Sequence, residues 1–258
     1  MASAAGANTP RKKKVVAPLV SNTVHVVVGR GQPIQIAFAA DSGFNGAASL
    51  ANAIKMALDN HPAVLGFPIR TNTVNAPTCG SPPNAVAAAT TAAYGIAANL
   101  QNVAVLGQVC SHGFAQALAI YQKAGIVVIS GSATNTALPA AGPTVFNRTI
   151  VDDNRVDDWY PVISQLPDDL AWRLDYTVKF GSAPSDFADL YYDAANIVID
   201  DIAGASHVDA KGELIVNRAA LATAVRNTAA YPGVTCSVTI NSIGDRIDDG
   251  VAINTCTG

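Results

Sequence analysis

Two short loops carry the side chains in this sequence best suited to hold a ligand. One is "VCSHG" (109–113), with Ser111; the other is "SGSATN" (130–135), with Ser130, Ser132 and Thr134. Both follow continuous apolar runs, "VAVLG" (103–107) and "IVVIS" (126–130). A strand that stops in small polar residues leaves backbone N–H groups and hydroxyls free. Where a helix begins just beyond, as "FAQALAIYQKAG" does after Gly113, its N-terminal partial charge favours an anion. Such donors suit a carboxylate, and exposed carbonyl and hydroxyl acceptors suit an ammonium group. The two loops together are suited to both charged ends of an α-amino acid. The same residues also have ordinary uses, Ser111 as a helix N-cap and Thr134 as a turn residue.

Catalytic patterns are weak by comparison. Ser111-His112 is a dipeptide, not a nucleophile held opposite a base, and no third group is placed to orient the histidine. No G-x-S-x-G elbow occurs. His25, His61 and His207 are scattered, without zinc-ligand spacing. The Asp pairs at 152–153, 157–158, 168–169, 200–201 and 248–249 do not follow a calcium-loop pattern. Acidic residues near helix starts are favoured there in any case. No GxGxxG follows the first strand, so a dinucleotide is not supported. The expectation is a non-enzyme with no cofactor and no metal.

Composition bounds the class. The chain has 258 residues, 50% hydrophobic and only 14% charged, with a net charge of −3. That allows a sizeable, alanine-rich core and argues against nucleic-acid binding, which needs a clustered basic surface. No apolar run is long enough to cross a membrane as a helix. Residues 1–32 read as a tail. "RKKK" (11–14) precedes an apolar stretch, as in an export signal, but Pro18, Ser21, Asn22, Thr23 and His25 interrupt it. A disordered tail and an atypical export signal both remain open. The four cysteines, Cys79, Cys110, Cys236 and Cys256, show no CxxC spacing. They read either as two disulfides made in an oxidising compartment or as four buried thiols.

These loops need strands and helices to position them. "IQIAFAA" (34–40) reads as a buried strand, followed by a helix with Leu50, Ile54 and Leu58 on one face. "FPIRTNTV" (67–74) alternates like a strand. The stretch 84–101 places Val86, Ala89, Ala93, Ala97 and Leu100 on one helical stripe. The helix from Phe114 stops at Gly125, and "TVFNRTI" (144–150) is a further strand. Strands alternating with helices imply βαβ units; continuously apolar strands imply a sheet covered on both faces. The expected fold class is α/β, a doubly wound, mostly parallel sheet with helices on both faces. In such a sheet ligands sit beyond the carboxyl ends of the strands. Three loops, "DSGFNG" (41–46), 110–113 and 131–135, should therefore share one rim.

The second half, 151–258, changes character. "VDDNRVDDWYPVISQLPDDL" is acidic and shows no strand. A helix should run from Pro167 to Gly181, and a long one should follow Ser185 or Asp186 as N-cap. Asn217 should cap another. The C-terminus reads as a β-hairpin around Gly244-Asp245. Cys236 and Cys256 lie nearly symmetrically about that turn, so a disulfide across it is sterically reasonable.

The stretch 33–150 resembles the first lobe of the branched-chain amino-acid-binding proteins of ABC transporters, the type I periplasmic binding fold. The resemblance is carried by "IQIAFAADSGFNG", "AIKMALDN", "VAVLGQVCSHGFAQALAIYQKAGIVVISGSATNTAL" and "TVFNRTI". It resumes in "DFADLYYDAANIVIDDI" and "VTCSVTINSIGDR". It implies a disulfide between Cys79 and Cys110. It implies that Ser111 donates to the ligand carboxylate, that Ser132 offers its backbone carbonyl to the ammonium, and that Thr134 uses amide and hydroxyl. Ala133 and Cys110 fall alongside, and Phe44 falls by the ligand side chain.

The chain departs from that family after "FNRTIV". The βαβ series of a second lobe, about 100–150 residues, is expected to be absent. Residues 151–258 should then pack back on the first lobe. The function this implies is an extracytoplasmic solute-binding protein, periplasmic or extracellular. It would serve an ABC-transporter permease and bind branched-chain or related amino acids weakly. The alternative is a single-lobe interaction, sensor or decoy domain without a transport role. Self-association through the exposed face between lobes is a further expectation.

Overall fold

A computed structural model describes residues 25–80 and 83–247. The chain begins with a short strand, β1 (His25–Val28), and then the apolar run becomes β2 (Ile34–Ala40). Next come α1 (Ala47–Asn60), β3 (Ala63–Val64), β4 (Phe67–Asn75), α2 (Ala85–Ala98), β5 (Asn102–Gly107), α3 (Phe114–Ala124), β6 (Val127–Ser130), α4 (Leu138–Ala141) and β7 (Phe146–Arg148). The second half supplies α5 (Val156–Ile163), α6 (Pro167–Phe180), α7 (Ala188–Gly204), β8 (Ser206–Val208), β9 (Leu214–Asn217), α8 (Arg218–Arg226), β10 (Tyr231–Gly233) and β11 (Cys236–Val238).

Six strands form the central sheet in the order β3-β4-β2-β5-β6-β7. All its pairings are parallel except the short antiparallel β3–β4 contact. Alternate residues of each strand go to opposite cores. Ile36 and Phe38 of β2 join Leu50 and Ile54 of α1 and Tyr191 and Ile197 of α7. Ala37 and Ala39 join Ala89 of α2 and Phe114 and Leu118 of α3. Over β2, β5 and β6 both faces are covered, which is why those strands are apolar throughout rather than alternating, whereas β4 at the edge is mostly polar and partly exposed from Arg70 on.

Local signals set several boundaries. Gly125 and Gly181 close α3 and α6 in the left-handed conformation, with φ of 64° and 75°. Pro167 opens α6, and the Asn217 side chain accepts from Ala220 N–H at 3.0 Å to cap α8.

Other expectations need correction. In α2 the buried residues are Ala85, Ala89, Ala92, Ala93 and Ile96, while Val86 and Leu100 are exposed. A run of alanines has no unique apolar stripe, so packing on α3 chooses the face. Leu100 lies past the helix end. Ser185 and Asp186 do not cap α7. Phe187 precedes it with φ 68°, and its N–H donates to the Tyr160 hydroxyl at 2.6 Å. Ser185 N–H donates instead to the Ser49 hydroxyl, at 2.8 Å.

The segment taken as a tail contributes β1, whose Val26 and Val28 are buried, to an antiparallel sheet of order β1-β9-β8. The C-terminal hairpin is present as β10–β11, turning at Val234-Thr235. The Asp193 carboxylate holds that turn by accepting from both of its N–H groups, at 2.9 and 3.0 Å. The turn at Gly244 also forms and is closed by an Ile240–Arg246 bridge. It lies against β7, where Arg148 N–H donates to Gly244 C=O at 2.9 Å. A Cβ at Gly244 would sit 2.1 Å from Phe146 C=O, so only glycine fits there. Cys236 is not a free thiol; Cys256 and the 248–249 Asp pair lie outside the described residues.

Candidate ligand-binding rim

Strand order reverses between β2 and β5. The chain leaves β2 into α1 on one face and leaves β5 into α3 on the other. A crevice opens at the carboxyl ends of such neighbours. The loops 41–46 and 108–113 flank that crevice, and the loop 131–135 follows the adjacent strand β6.

A disulfide and a buried carboxylate hold the crevice together. Cys79 and Cys110 are bonded, joining the loop after β4 to the loop after β5. Asp41 is buried, and its side chain accepts from the N–H groups of Thr78, Cys79 (2.6 Å) and Gly43 (2.8 Å). Three hydrogen bonds lace the next two loops. The Ser130 hydroxyl donates to Gln108 C=O at 2.9 Å, and the Ser132 hydroxyl to Val109 C=O at 2.6 Å. Asn135 N–H donates to the Ser111 hydroxyl at 3.2 Å. Ser111, Ser132 and Thr134 are thereby brought together on the rim.

What each leaves open is specific. The Ser111 oxygen already accepts one bond, so its hydrogen is free to donate outward. The Ser132 hydroxyl also meets the Tyr191 hydroxyl at 3.1 Å. Its side chain is engaged, but its carbonyl has no partner among the described residues. Ala133 is buried; its N–H donates to Ser130 and its C=O accepts from Arg148 at 3.2 Å. It therefore offers the rim neither backbone group. Cys110 has its sulfur in the disulfide. Phe44 is half-buried beside Gly46 and packs on the core around α1.

Arg148 was not singled out from the sequence, yet it orients the loop. It is fully buried, pairs with Asp245 at 2.7 Å, and donates to the carbonyls of Ala133 and Asn135. Burial pulls its pKa down, and the charge of Asp245 opposes that pull. A trans peptide points its N–H opposite to its C=O. Holding Ala133 C=O inward therefore aims Thr134 N–H outward. Asp153 N–H takes Thr134 C=O in turn, at 2.9 Å. Neither the N–H nor the hydroxyl of Thr134 has a partner among the described residues. The signal in the sequence was an arginine inside the strand-like run "TVFNRTI".

The N-terminus of α7 supports this loop from beneath. A Cβ on Gly131 would meet the Tyr191 ring at 2.8 Å, so the loop needs glycine to lie on the helix. Burial pushes the Tyr191 hydroxyl up to about 12. It stays protonated and serves as a neutral hydrogen-bonding strut. Beside it, Arg173 of α6 bridges Asp169 and Asp189, at 2.5 and 2.7 Å. Burial, with the like charge of Asp169, raises the pKa of Asp189. A groove of about 470 Å³ opens next to Ser111, lined by Val86, His112, Gln116, Asn135 and Leu138. Among the described residues no group of His, Cys, Asp and Glu could hold a metal ion.

No protein-family model matches the chain, and no curated protein matches it in sequence. Solved structures do match in fold. An ABC-transporter substrate-binding protein from Desulfitobacterium hafniense, in complex with Leu, aligns with a TM-score of 0.69 at 15% identity, covering 84% of this chain and 95% of that one. A branched-chain amino acid transporter substrate-binding protein from Streptococcus pneumoniae, in complex with isoleucine, gives 0.67 at 14% identity, with 83% and 94% covered. A solute-binding protein from Rhodopseudomonas palustris, in complex with 3,4-dihydroxybenzoic acid, gives 0.64 at 10% identity, with 82% and 90% covered. The α/β architecture with its covered, mostly parallel sheet is that of a type I periplasmic-binding-protein lobe.

Proposed function

We propose that this chain is a solute-binding protein of the ABC-transporter kind, working outside the cytoplasm with a membrane permease, and that its rim binds a small α-amino acid, branched-chain ones foremost. The observation that carries this reading is the outward Thr134 N–H, aimed by the buried Arg148. It stands beside the free Ser111 hydroxyl hydrogen and the free Ser132 carbonyl. Ser111 and Thr134 donate to the carboxylate, and Ser132 C=O accepts from the ammonium. The fold neighbours bound to leucine, isoleucine and dihydroxybenzoic acid support a carboxylate as the shared element. Among the described residues no helix is long and apolar enough to cross a membrane, which accords with work outside it.

The site is one-walled in this reading. The central sheet is the one sheet with parallel strands among the described residues, and no second such sheet faces the rim. The neighbours are covered over most of their length, so this part of the proposal rests on sheet content. An open rim leaves one side of the ligand in water, where charge-assisted bonds are weaker. Two or three missing partners, at about 1–3 kcal/mol each, shift affinity by several powers of ten. The expected dissociation constants are therefore millimolar. Calorimetry with leucine, isoleucine and valine tests this, with Ser111→Ala weakening whatever binding is seen. Binding that ignores Ser111→Ala would remove the rim from the account.

A further inference from the structure

The two edges of the central sheet are finished differently. At β7 the Gly244 turn and Arg226 take up backbone groups, with Arg148 N–H donating to Gly244 C=O and Arg226 donating to Phe146 C=O. At β4 the outer edge meets β3 only at Phe67 and Pro68, and Pro62 C=O accepts from Ile69 N–H. From Arg70 to Asn75 no strand of the described residues pairs with that edge. An edge strand turns every second N–H and C=O outward, and proteins usually guard such edges with charge, proline or a bulge. "TNTVN" (71–75) has none of these; Arg70 is the one charge nearby. Alongside runs a groove of about 420 Å³, lined by Val74, Pro77, Ala87, Ala88 and Thr91. Its small side chains leave room for those of an added strand. Tyr94, seven residues beyond Ala87 and so on the same face of α2, is 65% exposed.

We propose that this edge pairs antiparallel with the same edge of a second copy, about a two-fold axis at Thr73. Thr73 then faces Thr73 of the second copy, Asn72 faces Val74, and Thr71 faces Asn75. The register is self-complementary: it sets no like charges opposite each other and puts hydroxyl against hydroxyl at the axis. Pro62 and β3 limit the paired stretch at its N-terminal end, which leaves about five residues per copy. The same two-fold places the α2 helices on one face of the joined sheet, where Tyr94 and the alanine-lined groove can be covered. An isologous contact closes after two copies, and the covered β7 edge prevents growth into a longer sheet. Five residue pairs and two helices make a small interface, so the dimer is weak. This surface lies at the side of the sheet and reaches the rim only at its carboxyl end, where the Asn75 side chain accepts from Ser42 N–H at 3.0 Å; the inference does not depend on the proposed function.

Sedimentation of the full chain between about 10 μM and 1 mM tests it, a range suited to a weak contact. The expected result is a concentration-dependent dimer. Thr73→Lys and Thr73→Glu should each raise its dissociation constant about tenfold by placing like charges on the axis. Mixing the two variants in equal amounts should restore association. Thr73 is exposed, so both variants should melt like the parent chain. A parent chain that stays monomeric throughout, or a dimer untouched by Thr73→Lys, overturns the proposal. Failure of the mixture to recover overturns the axis at Thr73.

Discussion

Arg148→Met isolates the residue on which the rim depends. The substitution keeps an apolar stem of similar length and removes a guanidinium with no exposed surface. Three partners lose a donor: Asp245, 8% exposed and 2.7 Å away, and the carbonyls of Ala133 and Asn135. Breaking one side of a buried ion pair costs about 3–5 kcal/mol, mostly from the stranded charge. Arg226 lies close enough to Asp245 to feel its charge and offsets part of that. A carbonyl left without its donor costs about 1 kcal/mol or more. The two contributions overlap, and the net expectation is a loss of about 4 kcal/mol, or ~10 °C in Tm for a chain of this size. Adding Asp245→Asn should recover more than half of it, because the stranded charge goes too. Urea denaturation followed by circular dichroism at neutral pH measures both. A loss under about 1 kcal/mol for the single variant, or a double variant no better than the single, would refute the reasoning.

Four further outcomes follow from the same geometry. Replacing Cys79 and Cys110 together by alanine opens a loop with a sequence separation of 31 and should cost about 3–4 kcal/mol in a denaturant melt. Gly131→Ala drives a methyl into the Tyr191 ring and should cost about 1–3 kcal/mol, with loop amide exchange rising across 131–135. Burial, and then the charge of Asp200, raises the Asp201 pKa to about 6, so the folded state holds that proton more tightly than the unfolded chain. Stability linked to this group is present below about pH 4 and lost as pH rises through 6. Asp201→Asn should therefore raise Tm near pH 7.5 and leave it unchanged near pH 4. Asp193, raised to about 6 by burial, acts in the same direction, so the parent chain should melt higher near pH 5 than near pH 7.5.

The sheet and most helices were legible because each signal is local. The apolar runs at 34–40, 103–107 and 126–130 are short, nearly continuous and followed by turn residues, the pattern of doubly covered strands. Gly125, Pro167, Gly181 and Asn217 mark helix ends by backbone chemistry that needs no tertiary context. The buried face of α2 was not legible, since its alanines differ only in what packs on them. Neither was α5, whose Trp159 and Tyr160 sit among Asp and Pro; Tyr160 earns its place by satisfying Phe187 N–H, 27 residues away. The short strands β8 and β9 pair locally over three residues, but β1 joins them only by pairing four residues with β9 from the far end of the chain. On the rim, the loops of Ser111, Ser132 and Thr134 could be found from strand ends. That Arg148 and Asp245 set their orientation could not, because those two residues meet only in the folded chain.

The central claim is that the rim holds the carboxylate of an amino acid from one side. Backbone amide shifts of isotopically labelled protein titrated with leucine test it most directly. The account predicts fast-exchange, saturable shifts centred on Ser111 and Thr134, with a millimolar dissociation constant, and a weaker response to 4-methylpentan-1-amine, which lacks the carboxylate. Unmoved Ser111 and Thr134 amides at tens of millimolar leucine, or tight micromolar binding that a one-walled rim cannot supply, would contradict it.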